Sequence, residues 1–220
     1  MMGSPEGETH RNNEVEQLHR VTLSTGFWIS SFETTQEQYE EVMGRNPSQF
    51  KGSRLPVEMV SWDDAQDFLR KLNQRERKAR RLPANWSYRL PTEAEWEYCC
   101  RAGANTAYCY GNGTAELEDY AWFDSNSQNK THAVGQKKPN VWGIYDMHGN
   151  VLEWCADLFG YYEPDEIDPK GPSLGSNRII RGGSWLNPAE VSRSAGRYFY
   201  GSDTHNDRTG FRVVLTLSQP

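Results

Sequence analysis

Three segments in the first half of the chain carry the start and stop signals of helices. The first begins at Thr34 or Thr35, where Glu37 or Gln38 three residues later completes a capping box. Gly44 supplies the stop signal of this segment. The pattern therefore predicts a short helix between these two signals.

A second helix is predicted to begin at Ser61, whose side chain caps the helix while Asp63 and Asp64 favour its positive end. Its apolar residues recur at helical spacing and form one stripe: Trp62, Ala65, Phe68, Leu69 and Leu72. This stripe is predicted to be core and not a cofactor site. The basic run Arg75 to Arg81 is interpreted as the solvated C-terminal turn of the helix.

A third helix is predicted from Thr92 as the cap and Glu95 as its capping-box partner, with Gly103 as the stop. His19 to Phe32 is rich in β-branched and aromatic residues, and Gly26 interrupts it, which predicts two short strands or one kinked strand. Short strand-like runs such as Phe211 to Leu215 alternate with glycine-rich turns in the second half. The chain is therefore predicted to be a loop-rich α+β domain.

Length and composition agree with one domain that spans residues 1–220, because no linker-like segment divides the 220 residues. Mean hydropathy is −0.85, yet 12% of the residues are aromatic, which predicts a core of large rings beneath polar loops. The net charge of −6 argues against nucleic acid as a partner. No apolar stretch is long enough to span a membrane, so membrane insertion is not predicted. The compartment stays open: cytoplasmic, or secreted or at the cell surface if an upstream signal was removed.

The cysteines and histidines show no metal-binding spacing. Cys99, Cys100, Cys109 and Cys155 lack a C-x-x-C pair, so buried structural thiols are the first interpretation. A disulfide between Cys109 and one of the adjacent pair stays open. The histidines, His132 and His148 among them, are predicted to be surface or hydrogen-bonded residues and not metal ligands.

Six blocks in order resemble the formylglycine-generating (sulfatase-modifying factor) family. They are MGSPEGE, FETTQEQYEEVMG, LPVEMVSWDDAQDF, YRLPTEAEWEY, THAVGQKKPNVWGIYDMHGNVLEWC, and RGGSW through GFRVV. The resemblance implies the formylglycine-generating fold, a variant of the C-type lectin fold with a small antiparallel sheet and a few helices. It also implies that Met1 lies inside or at the edge of a domain that is trimmed at its N-terminus.

The resemblance implies structural calcium in the segment 143–154. Asp146 and Glu153 would supply carboxylate oxygens, and Gly149 and Val151 would supply backbone carbonyls. Spacing alone favours a solvated acidic loop. A second family calcium site has less support, because its asparagine ligand is replaced by Tyr120, and Asn126 is the residue that would have to compensate.

The family's catalytic chemistry is not expected here. Generating enzymes use two cysteines after the GGS tripeptide to bind copper, and the matching positions hold Asn187 and Ser192. An amide and a hydroxyl are poor ligands for Cu(I), which prefers thiolates. The chain is therefore predicted not to make formylglycine and not to bind copper.

The remaining interpretation is a module that binds a protein or small-molecule ligand at its C-terminal loop surface. The predicted ligand-binding residues are Ser184, Trp185, Asn187, Glu190, Ser192, Arg197, Tyr198, Tyr200 and His205. Rings beside small polar groups are typical of recognition surfaces. The segment between GGSW and GFRVV also resembles the one that retroelements diversify in variable proteins.

The alternative is a cysteine-independent, metal-dependent oxidoreductase of the same family. It predicts a pocket near Ser184, Trp185, Arg197 and Tyr198. The arginines of the C-terminal segment are predicted to tie loops together and not to bind anions.

Overall fold

The computed structural model of the chain describes residues 1–217, and its three longer helices begin at the predicted caps. Helix α1 spans Gln36–Met43, α2 Trp62–Lys78, α3 Glu93–Arg101, and the short α4 Leu117–Tyr120. Thr35, Ser61 and Thr92 each form a complete capping box. Helix α3 ends at Ala102, which takes a left-handed φ of 46°, one residue before the predicted stop at Gly103.

Within the described residues, nine short strands form three small sheets. They are β1 Val21–Thr22, β2 Phe27–Ile29, β3 Trp86–Arg89, β4 Leu152–Leu158, β5 Glu166–Ile167, β6 Asn177–Arg181, β7 Tyr198–Gly201, β8 Thr209–Gly210 and β9 Val214–Leu217. The sheets have the orders β7-β6-β4-β8, β2-β9-β3 and β1-β5. The segment around Gly26 thus forms two short strands, which was one of the two predicted outcomes.

The core sits between the helices and the larger sheet. In the first cluster, Phe68 and Leu69 of α2 pack with Trp154 and Phe211, so the predicted apolar stripe is core. A second cluster centres on Trp96 of α3. Within residues 1–217, no helix has both the length and the apolar character that a membrane crossing requires.

Buried arginines fix the C-terminal loops. Arg181 and Arg197 both bind the Glu93 carboxylate, at 3.1 and 2.6 Å. Arg193 binds Glu16 at 2.8 Å. These guanidinium groups are enclosed and form ion pairs with carboxylates of the same chain, which confirms their predicted structural role.

Candidate functional site

The two positions that carry cysteines in generating enzymes lie at different depths. Ser192 is fully buried, and its Oγ has no hydrogen-bond partner. Asn187 is half-buried; its Oδ1 accepts a hydrogen bond from Ser184 Oγ at 2.6 Å, and its carbonyl accepts one from the Asp124 amide at 3.1 Å. Neither position offers a thiolate to a metal.

Nearby sulfur does not replace the missing pair. Cys100 Sγ lies 3.6 Å from Ser194 Oγ, and burial raises the pKa of this thiol to about 12. All four cysteines are free thiols, three of them buried and Cys109 half-buried, as the first interpretation had it. A protonated, enclosed thiol is a poor nucleophile and a poor ligand.

Two of the histidines serve as hydrogen-bonding residues, as predicted. His148 is buried; its Nδ1 lies 2.8 Å from the Ser192 carbonyl, and its Nε2 lies 3.1 Å from the Cys109 amide. A carbonyl accepts and an amide donates, so the proton of the neutral ring is assigned to Nδ1. His132 Nε2 lies 2.6 Å from the Ser127 carbonyl, and its ring stacks on Trp122 with ring centroids 3.7 Å apart.

A partly exposed surface surrounds the Trp185 indole. Trp185 itself is 6% exposed, and its Nε1 donates to the Asp207 carbonyl at 2.9 Å. The Phe50 ring meets the indole edge-on at 5.5 Å, and Ser127 Oγ donates to the Trp185 carbonyl at 2.7 Å. We define the Trp185 face as Phe50, Asp124, Leu186, Asn187 and Asp207 around this indole. Four separate chain segments meet there.

An unsatisfied carboxyl lies beneath the Trp185 face. Glu58 is fully buried; its Oε1 accepts a hydrogen bond from the Phe50 amide at 2.9 Å, and its Oε2 has no partner. Burial raises the pKa of this carboxyl to about 7, although the amides of Gln49 and Phe50 oppose the shift. A buried acceptor without a partner is costly in a folded protein.

The other predicted binding residues point elsewhere. Arg197 is clamped on Glu93, and Glu190 lies 4.0 Å from His10. The exposed His205 lies with its Nε2 2.8 Å from an Asp64 oxygen. The structure therefore places Trp185 and Asn187 at the face, with Ser184 buried beneath Asn187. Arg197, Glu190 and His205 have other partners instead.

The aromatic strand β7 is turned in a way that its sequence does not show. Tyr198 and Tyr200 are half-buried and pack on the first core cluster, whereas Phe199 is 45% exposed and lies 4.4 Å from the Phe159 ring. Alternate residues of a strand face opposite sides. Phe199 is therefore the exposed ring of this strand. Five of the cavities described in residues 1–217 have no lining from Ser184, Trp185 or Tyr198, and one of the five is lined by Arg197.

Three buried carboxylates, Glu33, Asp146 and Glu153, surround the Arg212 guanidinium. Arg212 binds both oxygens of Glu153, each at 2.6 Å. Asn150 Nδ2 and the Val151 amide donate to Glu33, at 2.7 and 3.1 Å. Burial, and then the charges of Asp146 and Glu153, hold the pKa of Glu33 well above its ordinary value. No sequence pattern pointed to Glu33 as a member of this group.

Asp146 is the member of this group that best fits a calcium ligand. Its backbone has a left-handed φ of 60°, its Oδ2 accepts from the Gly135 amide at 2.7 Å, and its Oδ1 is buried without a partner. Glu153 fits less well, because both of its oxygens already bind Arg212. Within residues 1–217 no group of three or more His, Cys, Asp or Glu side chains is arranged to hold a metal, so calcium would depend on backbone carbonyls as well.

The residues of the second family site are engaged otherwise. Tyr120 stacks on Tyr110 with ring centroids 4.5 Å apart. Asn126 closes a local turn, since its Oδ1 accepts from the Phe123 amide at 2.9 Å and its Nδ2 donates to the Ala121 carbonyl at 3.0 Å. These contacts leave Asn126 as a turn residue.

The few helices, the three small sheets and the long loops of residues 1–217 agree with the predicted C-type-lectin-like fold of the α+β class. Within this class the chain belongs to the sulfatase-modifying factor enzyme 1-like domain family, whose pattern matches residues 1–217.

Comparison with individual proteins supports this assignment. The chain is 35% identical over 217 residues to a protein named chaperone protein LppX from Paenibacillus barcinonensis, covering 78% of this chain and 74% of that protein. It is 33% identical to the formylglycine-generating enzyme of Streptomyces coelicolor, covering 72% of this chain and 52% of the enzyme. The chain thus spans about half the length of that enzyme.

A solved structure is similar over nearly the whole chain. Treponema denticola variable protein 1 superimposes with a TM-score of 0.87 at 32% identity, covering 97% of this chain and 91% of that protein. The predicted family and fold are therefore confirmed.

Proposed function

We propose that this chain is a binding module of its family, without formylglycine-generating activity, that recognises a protein or small-molecule ligand through the Trp185 face. The observation that carries the proposal is the position of Asn187. Where generating enzymes hold a reactive cysteine, this chain holds a half-buried amide at the centre of a surface built from four segments.

The Trp185 face combines preorganisation with exposed contact groups. Its base is fixed by the hydrogen bonds of Ser127 Oγ to the Trp185 carbonyl and of Trp185 Nε1 to the Asp207 carbonyl. Leu186 is 42% exposed, and the half-buried Phe50 ring packs edge-on against the Trp185 indole. Surfaces that are rigid before binding lose less entropy on binding, and mixed apolar and polar groups give both contact area and orientation.

The donor chemistry supports binding over oxidation. An amide at position 187 and a buried hydroxyl at position 192 do not replace two thiolates. Cys100, whose Sγ lies 3.6 Å from Ser194 Oγ, stays protonated because burial raises the pKa of its thiol. Copper is therefore not expected in this domain.

Site-specific photocrosslinking tests the proposal. A photoreactive residue at Leu186 is expected to capture a partner that the same residue at Val141, which is 81% exposed on another loop, does not. Leu186→Asp is expected to weaken the binding of that partner about tenfold or more without changing the melting temperature. Equal capture from both positions, or full affinity of the Leu186→Asp variant, would contradict the proposal.

A diversified form of this module has its own test. The similarity to Treponema denticola variable protein 1 supports it, because variable proteins resemble this chain in the frame of their C-terminal segment. The DNA next to the gene is expected to carry a near-identical repeat of this segment that differs at adenines. Absence of such a repeat would contradict the diversified form, and the chain would then be a binding module with an invariant surface.

We also propose a structural calcium ion at Asp146, with Glu153 and the carbonyls of Gly149 and Val151 as the other ligands. The support is the unpartnered Asp146 Oδ1 and the excess of three carboxylates over one guanidinium. Calcium would supply charge compensation and hold the loop, and no chemical step depends on it.

The alternative, a cysteine-independent metal-dependent oxidoreductase, has less support. It needs a redox centre, and residues 1–217 show no group of three His, Cys, Asp or Glu side chains that would hold one. The metal content of the purified domain distinguishes the two functions. Calcium without copper or iron agrees with the binding module, and stoichiometric copper or iron would favour the oxidoreductase.

A further inference from the structure

Two cavities lie on either side of one buried carboxyl, away from the Trp185 face. The smaller has a volume of about 360 Å³ and the larger about 500 Å³. Asp157 and Pro169 line both of them. Volumes of this size are typical of sites for small molecules. Asp157 therefore lies where a ligand in either cavity would reach it.

Asp157 is nearly enclosed and has little compensation for its charge. It is 4% exposed, and its Oδ2 accepts a hydrogen bond from the Glu93 amide at 2.8 Å. Among residues 1–217 it forms no ion pair. A buried carboxylate without a cationic partner is unfavourable, so the site favours a ligand that brings positive charge.

The cations near Asp157 are committed to other groups. Arg89 binds both oxygens of Glu95, each at 2.6 Å. Arg197 donates to Glu93 and to the carbonyls of Val15 and Gly160. Arg178, on β6, donates to the Ala156 carbonyl at 2.8 Å and stacks on the Trp62 ring at 3.7 Å.

The charged groups around Asp157 come from several elements. They are Glu93 and Glu95 on α3, Arg89 on β3, Arg178 on β6, Arg197 before β7, and Asp168 and Lys170 after β5. Burial, and then the charge of Glu93, raise the pKa of Asp157 to about 8. The raised pKa favours the protonated form of this carboxyl at neutral pH.

The lining of the larger cavity combines acidic and aromatic side chains. Its other acidic residues include Glu163 and Glu166, and Arg197, its arginine, is already paired. Phe159 and Tyr161 contribute ring surface, and Tyr161 is 73% exposed at the opening. Carboxylates beside aromatic rings are a favourable environment for an alkylammonium.

We propose that the larger cavity binds a small aliphatic diamine, one ammonium paired with Asp157 and the other with Glu163 or Glu166, with the alkyl chain against the rings of Phe159 and Tyr161. On binding, one ammonium group of the ligand takes the place of the Asp157 proton, and this proton is released to solvent. This site is separate from the Trp185 face, so its failure would leave the proposed recognition function untouched.

Calorimetry with 1,5-diaminopentane, pentylamine and pentanol on the full chain tests the site. We expect the diamine to bind more tightly than pentylamine, and pentanol not to bind. At pH 7, binding of either amine is expected to release up to one proton, because a carboxyl with a pKa near 8 is mostly protonated there. The release is measured from the dependence of the heat on the buffer. Binding of pentanol as tight as that of pentylamine, or heats independent of the buffer, would overturn the proposal.

Three variants locate the ligand. Asp157→Asn is expected to weaken both amines about tenfold or more, because a charge-assisted contact is lost. Glu163→Gln is expected to weaken the diamine but not pentylamine if Glu163 holds the second ammonium; Glu166→Gln does so if Glu166 holds it. Ser87→Ala, which changes only the smaller cavity, serves as the matched control.

The amine site can still be tested if one of the variants does not fold. The proton release and the comparison with pentanol use the unmodified chain, and absence of amine binding at millimolar concentration would refute the site. Full affinity of a folded Asp157→Asn variant would refute it as well. Loss of affinity in Ser87→Ala alone would place the ligand in the smaller cavity and overturn the assignment.

Discussion

Arg181 is the residue whose loss should test the structural role of the buried arginines most directly. Its side chain is 0% exposed and donates to Glu93 at 3.1 Å and to Glu97 at 2.5 Å. It also donates to the carbonyls of Ala195 and Ser194, at 3.2 and 2.7 Å. Arg181→Met keeps most of the apolar volume and removes all four hydrogen bonds.

The expected cost lies at the lower end of the range for a broken buried ion pair. Removing one partner typically costs about 3–5 kcal/mol, because the other charge is left uncompensated. Here Glu93 keeps Arg197, and Glu97 keeps Arg101. We therefore expect the free energy of unfolding to fall by about 3 kcal/mol. In a domain of this size, that lowers the melting temperature by about 6–12 °C.

Urea unfolding followed by tryptophan fluorescence measures this change, since the chain holds 8 tryptophans. The matched control is Arg70→Met, which removes an ion pair with Asp67 whose side chains are 55% and 59% exposed. We expect the control to change stability by less than about 1 kcal/mol. If Arg181→Met costs no more than the control, the arginine does not stabilise the fold, and an anion-binding role would have to be reconsidered.

Three further predictions concern the metal, the chemistry and Asp157. Calcium at about 100 times its Kd is expected to stabilise the chain by about 2.7 kcal/mol; Asp146→Asn should abolish this effect, and an unchanged calcium response in the melting temperature would remove the site. A Cys-x-Pro-x-Arg peptide incubated with the chain, copper and oxygen is expected to keep its mass, and a formylglycine product would refute the inactive assignment. The pKa of Asp157 is about 8 in the folded chain and about 3.9 unfolded, so its contribution to stability should fall as pH rises from about 4 to 8. Asp157→Asn should lack this part of the fall, and identical pH profiles of urea unfolding would contradict the raised pKa.

The helix boundaries were predictable because their signals are local. Thr35, Ser61 and Thr92 each bond to the amide three residues later, so a short window of sequence contains the whole interaction. Family and fold were predictable because six blocks in order resemble one family. Strand β4 was missed, since its first residues lie in the segment interpreted as a calcium loop.

The candidate site was less predictable because its contacts span long distances in the sequence. Glu33 reaches Val151 across 118 residues, and no local pattern announces such a pairing. The run Tyr198 to Tyr200 shows three rings without polar alternation, so the sequence did not reveal that Phe199 faces outward. Phe50 belongs to the face because its ring contacts Trp185, which lies 135 residues later in the chain (185 − 50 = 135).

The clamp of Arg193 on the N-terminal loop also dictates when the domain can form during synthesis. The guanidinium joins Glu8 and Glu16 across 185 and 177 residues, and β2 pairs with β9 near the other end of the chain. A nascent chain on the ribosome therefore holds Glu8 and Glu16 without their arginine until nearly the whole domain has emerged. Because such long-range contacts form late, the domain is expected to fold slowly and only after its C-terminal strand has been synthesised.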